Sequence, residues 1–160
     1  MIRRRGALLL GCMAMIAVVF AVSSRKGTSS APPGRYTIPG DGTVYDNQTK
    51  LTWQQATLPV QTQSVAIASC RSVSLPGSGW RLPTIKELHT LIDFSASAPP
   101  YIDQTAFPGT PTTNSSAYWS SSAQAGNPVG SAAMGWTVYF SIPATMFNPT
   151  NVGAYIRCVR

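Results

Sequence analysis

Two cysteines beyond the N-terminal segment, Cys70 and Cys158, constrain this 160-residue chain more than any other feature. Their weight comes from how the chain begins. Arg3, Arg4 and Arg5 form a basic start, Gly6 to Val22 is an apolar run, and Ser23 and Ser24 lead into polar sequence. That order is the pattern of an export signal. Outside the cytoplasm a pair of thiols is oxidised, and two cysteines imply one disulfide between Cys70 and Cys158. A redox pair would stand close in sequence as C-x-x-C, and a zinc site would need two more ligands in a chain whose only histidine is His89. Neither a metal nor a cofactor is expected.

The leader allows three fates. Cleavage before Ser24 would place Ala21 and Ser23 at the small-residue positions of a signal peptide. Leu9-Leu10-Gly11-Cys12 is similar to a lipidation box, although the apolar run continues past Cys12. Retention as an anchor would use an apolar run at the short end of a spanning helix, with the three arginines on the cytoplasmic side. Each fate puts the rest of the chain outside the cytoplasm: at the cell surface, in the periplasm or in the medium. The sequence therefore divides into a signal or anchor at 1–23, a flexible Ser-, Thr-, Pro- and Gly-rich linker at 24–34, and one domain at 35–160.

The formal charge of +7 belongs mostly to the leader. Arg3, Arg4, Arg5, Arg25 and Lys26 precede the domain, which is left with seven basic and five acidic residues. A net charge of about +2 does not support a strongly basic, nucleic-acid-binding domain. Hydrophobic residues make up 44% of the chain, enough to bury a core.

Within the domain, Arg35–Ile38, Thr43–Asp46 and Leu51–Gln54 read as short strands separated by Pro39-Gly40-Asp41-Gly42 and Asn47-Gln48-Thr49-Lys50 turns. Val44, Leu51 and Trp53 are the inward residues. Thr62–Val73 reads as a helix with Cys70 facing inward, stopped by Pro76 and Gly77. Thr84 and Glu87 form a capping box, followed by Ile85, Leu88, Leu91 and Ile92 on one helical face, so a helix is expected to Asp93. Residues 94–117 form a long loop pinned by Tyr101, Ile102 and Phe107. Tyr118–Ser121 is a strand, 122–131 a loop, and Met134–Ser141 a strand with Trp136, Val138 and Phe140 on one face. A Pro- and Asn-containing loop at 142–152 precedes a last strand, Ala154–Val159, with Ile156 and Cys158 on one face and Tyr155 and Arg157 on the other. Helices segregated from antiparallel strands argue an α+β fold.

Four ordered motifs carry a resemblance. Asp41-Gly42-Thr43-Val44 with Leu51-Thr52-Trp53-Gln54, then Gly79-Trp80-Arg81-Leu82-Pro83-Thr84 with Glu87-Leu88, then Tyr118-Trp119-Ser120-Ser121, then Tyr155-Ile156-Arg157-Cys158-Val159-Arg160 resemble the bacterial Lcl C-terminal domain family over roughly 41–160. The resemblance implies a C-type-lectin-like fold, with two helices flanking small antiparallel sheets and a bridge from the first helix to the last strand. It also implies a bacterial surface or exported protein, since the collagen-like member that names the family is an adhesin binding sulfated glycans. This chain has no Gly-X-Y stretch and so lacks that member's trimerising stalk.

The expected role is a non-enzymatic binding or adhesion module that takes a glycan or a surface protein through loops 94–117, 122–131 and 142–152. The alternative is a structural part of a cell-envelope assembly. No nucleic-acid partner is expected, and membrane contact would come only through the leader. Arg81, Arg157 and Arg160 are candidate ligand contacts, with Arg71 beside them, because guanidinium suits sulfate and carboxylate. Trp119, Trp53 and Trp136 are candidate stacking surfaces, against the plainer reading that they are core. Likewise Trp80, Arg81 and Pro83 read as packing, pairing and helix entry before they read as a binding motif. Asp41, Asp46 and Asn47 offer oxygens to calcium, but not in the EF-hand spacing, and the Glu-Pro-Asn and Trp-Asn-Asp motifs of calcium-dependent lectins are missing. His89, four positions before Asp93, could support an exposed helix face. No catalytic serine can be nominated to join it.

Overall fold

A computed structural model describes residues 31–113, 115–126 and 133–160. The leader expected at 1–23, positions 24–30 of the expected linker and residues 127–131 of the loop expected at 122–131 lie outside the described residues.

The first strands are β1 (Tyr36–Thr37), β2 (Thr43–Asp46) and β3 (Thr52–Gln54), an antiparallel sheet in the order β1-β2-β3. Aspartates build both turns between them. The Asp41 carboxylate accepts from the Thr43 amide and hydroxyl, and the Asp46 carboxylate accepts from the Gln48 and Thr49 amides. One carboxylate oxygen of each aspartate weighed for calcium is thus engaged by local backbone.

Next come β4 (Leu58–Gln61), α1 (Gln63–Arg71), α2 (Ile85–His89), β5 (Ala117–Ala123), β6 (Met134–Tyr139), β7 (Ala144–Pro149) and β8 (Ala154–Ile156). The five strands form a second sheet in the order β4-β8-β5-β6-β7, antiparallel except where Tyr118 of β5 pairs with Tyr155 of β8 in parallel. The fold is α+β, with two helices, small sheets and one disulfide, Cys70–Cys158, which spans 88 positions with Cα atoms 5.4 Å apart.

Several boundaries differ from expectation. Residues 142–152 are not all loop, because β7 pairs with β6 over six residues. β4 was likewise not anticipated. Both are edge strands, and both carry a proline, Pro59 or Pro149, that a central strand would reject and an edge tolerates. The second helix ends at His89, not Asp93. The Thr90, Leu91 and Ile92 amides then reach back only three residues, to Glu87, Leu88 and His89, and this tighter turn still buries Leu91 and Ile92. The last strand also ends early, at Ile156. Arg157 is not on an outer face, since Ile156, Arg157, Cys158 and Val159 are all buried.

The reason is that residues 155–160 run through the middle of the molecule. β8 separates β4 from β5, Val159 bridges both Trp53 and Arg81, and the Arg160 and Thr52 amides exchange bonds with each other's carbonyls. One core cluster, with Val44, Trp53, Leu88, Phe107, Tyr118 and Phe140, lies under the long loop. A second surrounds the disulfide, with Ala66, Trp80, Leu82, Trp119 and Ile156. As expected, Ile102 and Phe107 pin loop 94–117, and the Tyr101 amide bonds the Phe140 carbonyl.

Candidate functional site

Of the sequence-nominated residues, Arg71 is exposed in the last turn of α1, while Arg81, Arg160, Trp53, Trp80 and Trp119 take structural positions. Arg81 bonds Glu87 through both guanidinium nitrogens, at 2.8 and 2.7 Å, while Glu87 and Thr84 close the capping box. The Arg81 guanidinium holds the Glu87 carboxyl down at about 2, against the smaller opposing effect of partial burial. Trp80 is buried and Pro83 sits at the helix entry, as the plain reading held. Arg160 lays its guanidinium 5.6 Å from the Trp80 ring, in space that a Cβ at Gly77 would occupy. Trp119 is wholly buried and its indole donates to the Gln61 carbonyl at 2.8 Å. Trp53 is also fully buried.

Arg157 is the unusual member of this set. Its Nη2 donates to Thr57 and Thr110 hydroxyls at 3.0 and 3.2 Å, and its guanidinium lies 4.6 Å from the Phe107 ring centroid and 5.3 Å from that of Tyr118. Its Nε and Nη1 have no hydrogen-bond partner among the described residues. Burial pushes its pKa down and that of the neighbouring Tyr118 up. The cation is held by π faces and hydroxyls, beneath the long loop, and reaches no ligand surface.

Trp136 is different. Of the four tryptophans it alone is not fully packed away: it is half-buried, in a groove between α2 and the β6–β7 hairpin. The hairpin register sets the groove wall. Trp136 stands opposite Phe147 and Val138 opposite Thr145, so all four side chains share one face. The Trp136 and Phe147 rings meet edge to face at 5.7 Å, and Phe147 is 47% exposed. Across from them α2 presents Ile85, Lys86 and His89. The capping box fixes where α2 starts, and the Ile85 amide donates to Ser122 of β5, so the helix is tied to the sheet it faces. The groove holds about 380 Å³ and has no carboxylate in its lining. Chemically it offers an aromatic wall, one cation and one imidazole.

Sequence reasoning named Trp136 and His89 but did not join them, and it missed Lys86, Thr145 and Phe147. Phe147 and Thr145 could have been found only by recognising β7. Lys86 and His89 share a helical face at i, i+3 spacing, the one local signal available.

Among the described residues no three His, Cys, Asp or Glu side chains gather as metal ligands, and no helix is long and apolar enough to cross a membrane. What fold and groove define together is a disulfide-tied α+β domain with a solvent-open aromatic cleft. The profile of the Lcl C-terminal domain matches residues 42–160, and the chain belongs to that family. Among curated proteins, none matches the chain.

Proposed function

We propose that this chain is a non-enzymatic binding module exported to the exterior of a bacterial cell, and that its groove takes an anionic glycan. We propose with it that the domain has the C-type-lectin-like arrangement, which the bridge from α1 to the residues just after β8 supports. The observation that carries the function is the groove itself. Half-buried Trp136, with the exposed Phe147 ring edge-on beside it, faces Lys86 and His89 in a groove whose lining has no carboxylate. Sugar rings present C–H faces that pack on aromatic rings, and a sulfate or carboxylate on the sugar meets the ammonium of Lys86.

The test is retention of the full chain, held in nonionic detergent, on a heparin column and a glycan array, with and without calcium. Lys86→Ala is expected to weaken heparin binding about threefold, in line with one exposed charge pair. Phe147→Ala, at a half-exposed position, is expected to weaken it about tenfold through loss of the ring contact. Failure to bind heparin and every arrayed glycan in either condition would sink this reading.

One observation favours a second reading, a structural part of an envelope assembly. β7 is an edge strand that exposes Met146 on one side and Phe147 on the other, an edge suited to a fixed protein partner. Recovery of a stoichiometric envelope partner with the chain would support it.

A further inference from the structure

His89 belongs to two depressions at once. On one side it lines the groove with Trp136 and Lys86. On the other it lines a second depression of about 350 Å³ with Arg35, Gln48, Thr49, Thr90 and Phe94. Its ring lies 5.7 Å from that of Phe94, which is 65% exposed. The imidazole is therefore the junction of a longer trough, with half-buried Trp136 at one end, exposed Phe94 at the other, and no carboxylate lining either half.

We propose that a ligand bound in this trough crosses His89, and that protonation of this imidazole strengthens the hold on an anionic ligand. The proposal rests on the anionic-glycan reading of the groove. Its physical basis is the charge of the surroundings. From its own helix His89 has Lys86 one turn back, and Glu87, which is engaged by Arg81. From the turn that follows α2 comes Asp93, whose carboxylate accepts from the Ser95 amide and hydroxyl. From just before β1 comes Arg35, paired with buried Asp46 at 3.1 Å and bonded to the Thr90 carbonyl. β6 and β7 contribute only the uncharged Trp136 and Thr145. Protonation thus adds a cation at the centre of a trough whose lining already includes Lys86 and Arg35. The chain has one histidine, so no other imidazole can produce the same response.

The probe is heparin, whose sulfates stay ionised throughout, titrated against the full chain in nonionic detergent at about pH 5.5 and about pH 7.5. The wild type is expected to bind about threefold more tightly at the lower pH, the scale of one exposed charge pair. His89→Gln, a change at an exposed position, is expected to bind equally at both. Equal wild-type affinity at the two pH values would overturn the proposal and leave the glycan reading standing. A pH response that survives in His89→Gln would also overturn it. No heparin binding at either pH would instead remove the glycan reading, and this proposal with it.

Discussion

The two helices are both short and are held by opposite means. α1 has nine residues, but its N-cap residue Thr62 makes no side-chain capping bond and only Ala66 and Cys70 are fully buried. Its apolar face is poor, with Val65 48% exposed. It is kept in place by a covalent bond, Cys70 to Cys158, and by the Ser69 hydroxyl on the Gln61 side chain. α2 has five residues, too few to be stable alone. It is kept in place by polar groups: the reciprocal Thr84–Glu87 box, the two Arg81 bonds to Glu87, and the Ile85 amide on Ser122. A covalent tie tolerates a weak amphipathic pattern. A polar tie demands a full set of local partners, and the helix it positions is the one that lines the groove.

Breaking the covalent side should have the largest effect. Cys70→Ala with Cys158→Ala is expected to cost about 2–5 kcal/mol, read from denaturant midpoints, because the bridge closes a long loop and both sulfurs are buried. If stability stays unchanged, the contrast between the helices fails. Thr84→Ala removes half of the capping box and is expected to cost about 1 kcal/mol. In the same variant heparin affinity should fall as α2 loosens, whereas the cysteine variant, under conditions where it is still folded, should retain it.

The smallest expected effect is with acid. The Glu87 carboxyl titrates at about 2 in the folded chain against an ordinary 4.5. A carboxyl lowered by folding stabilises above its unfolded value, and that contribution fades as pH falls from about 4.5 toward about 2. Glu87 is partly exposed, so screening leaves this contribution below about 1 kcal/mol. Glu87→Gln should be less stable than the wild type near neutral pH and lose the difference through that acid window, as measured by thermal midpoints. A constant difference down to the lowest pH would show that Arg81 does not depend on the charge of Glu87.

Much of this was legible because it is local or covalent. Thr84 and Glu87 stand three apart and must satisfy each other's backbone, so the box could be read directly. Two cysteines beyond the N-terminal apolar run admit one pairing. Alternation found the shared face of Trp136, Val138 and Phe140, and bulk apolar character found the Ile102 and Phe107 pins. β4 and β7 were hidden because an edge strand needs only one partner and can carry proline, which reads as a breaker. Arg157 was misplaced for another reason. A guanidinium is ordinarily exposed, and its cage of Phe107, Tyr118, Thr57 and Thr110 is assembled from three distant segments. The groove shares that problem, since Lys86 and His89 meet Trp136 and Phe147 only through the tertiary fold.

The central position of residues 155–160 also sets an order of events. β4, β5, Trp53 of β3 and Arg81 all wait for a partner supplied by this segment, and so does Cys70. Without this segment the preceding chain can form turns and hairpins but completes neither core cluster. Such long-range closure is slow. The segment from Ala154 to Val159 thus works as a latch, because both core clusters include its residues and neither is complete without it.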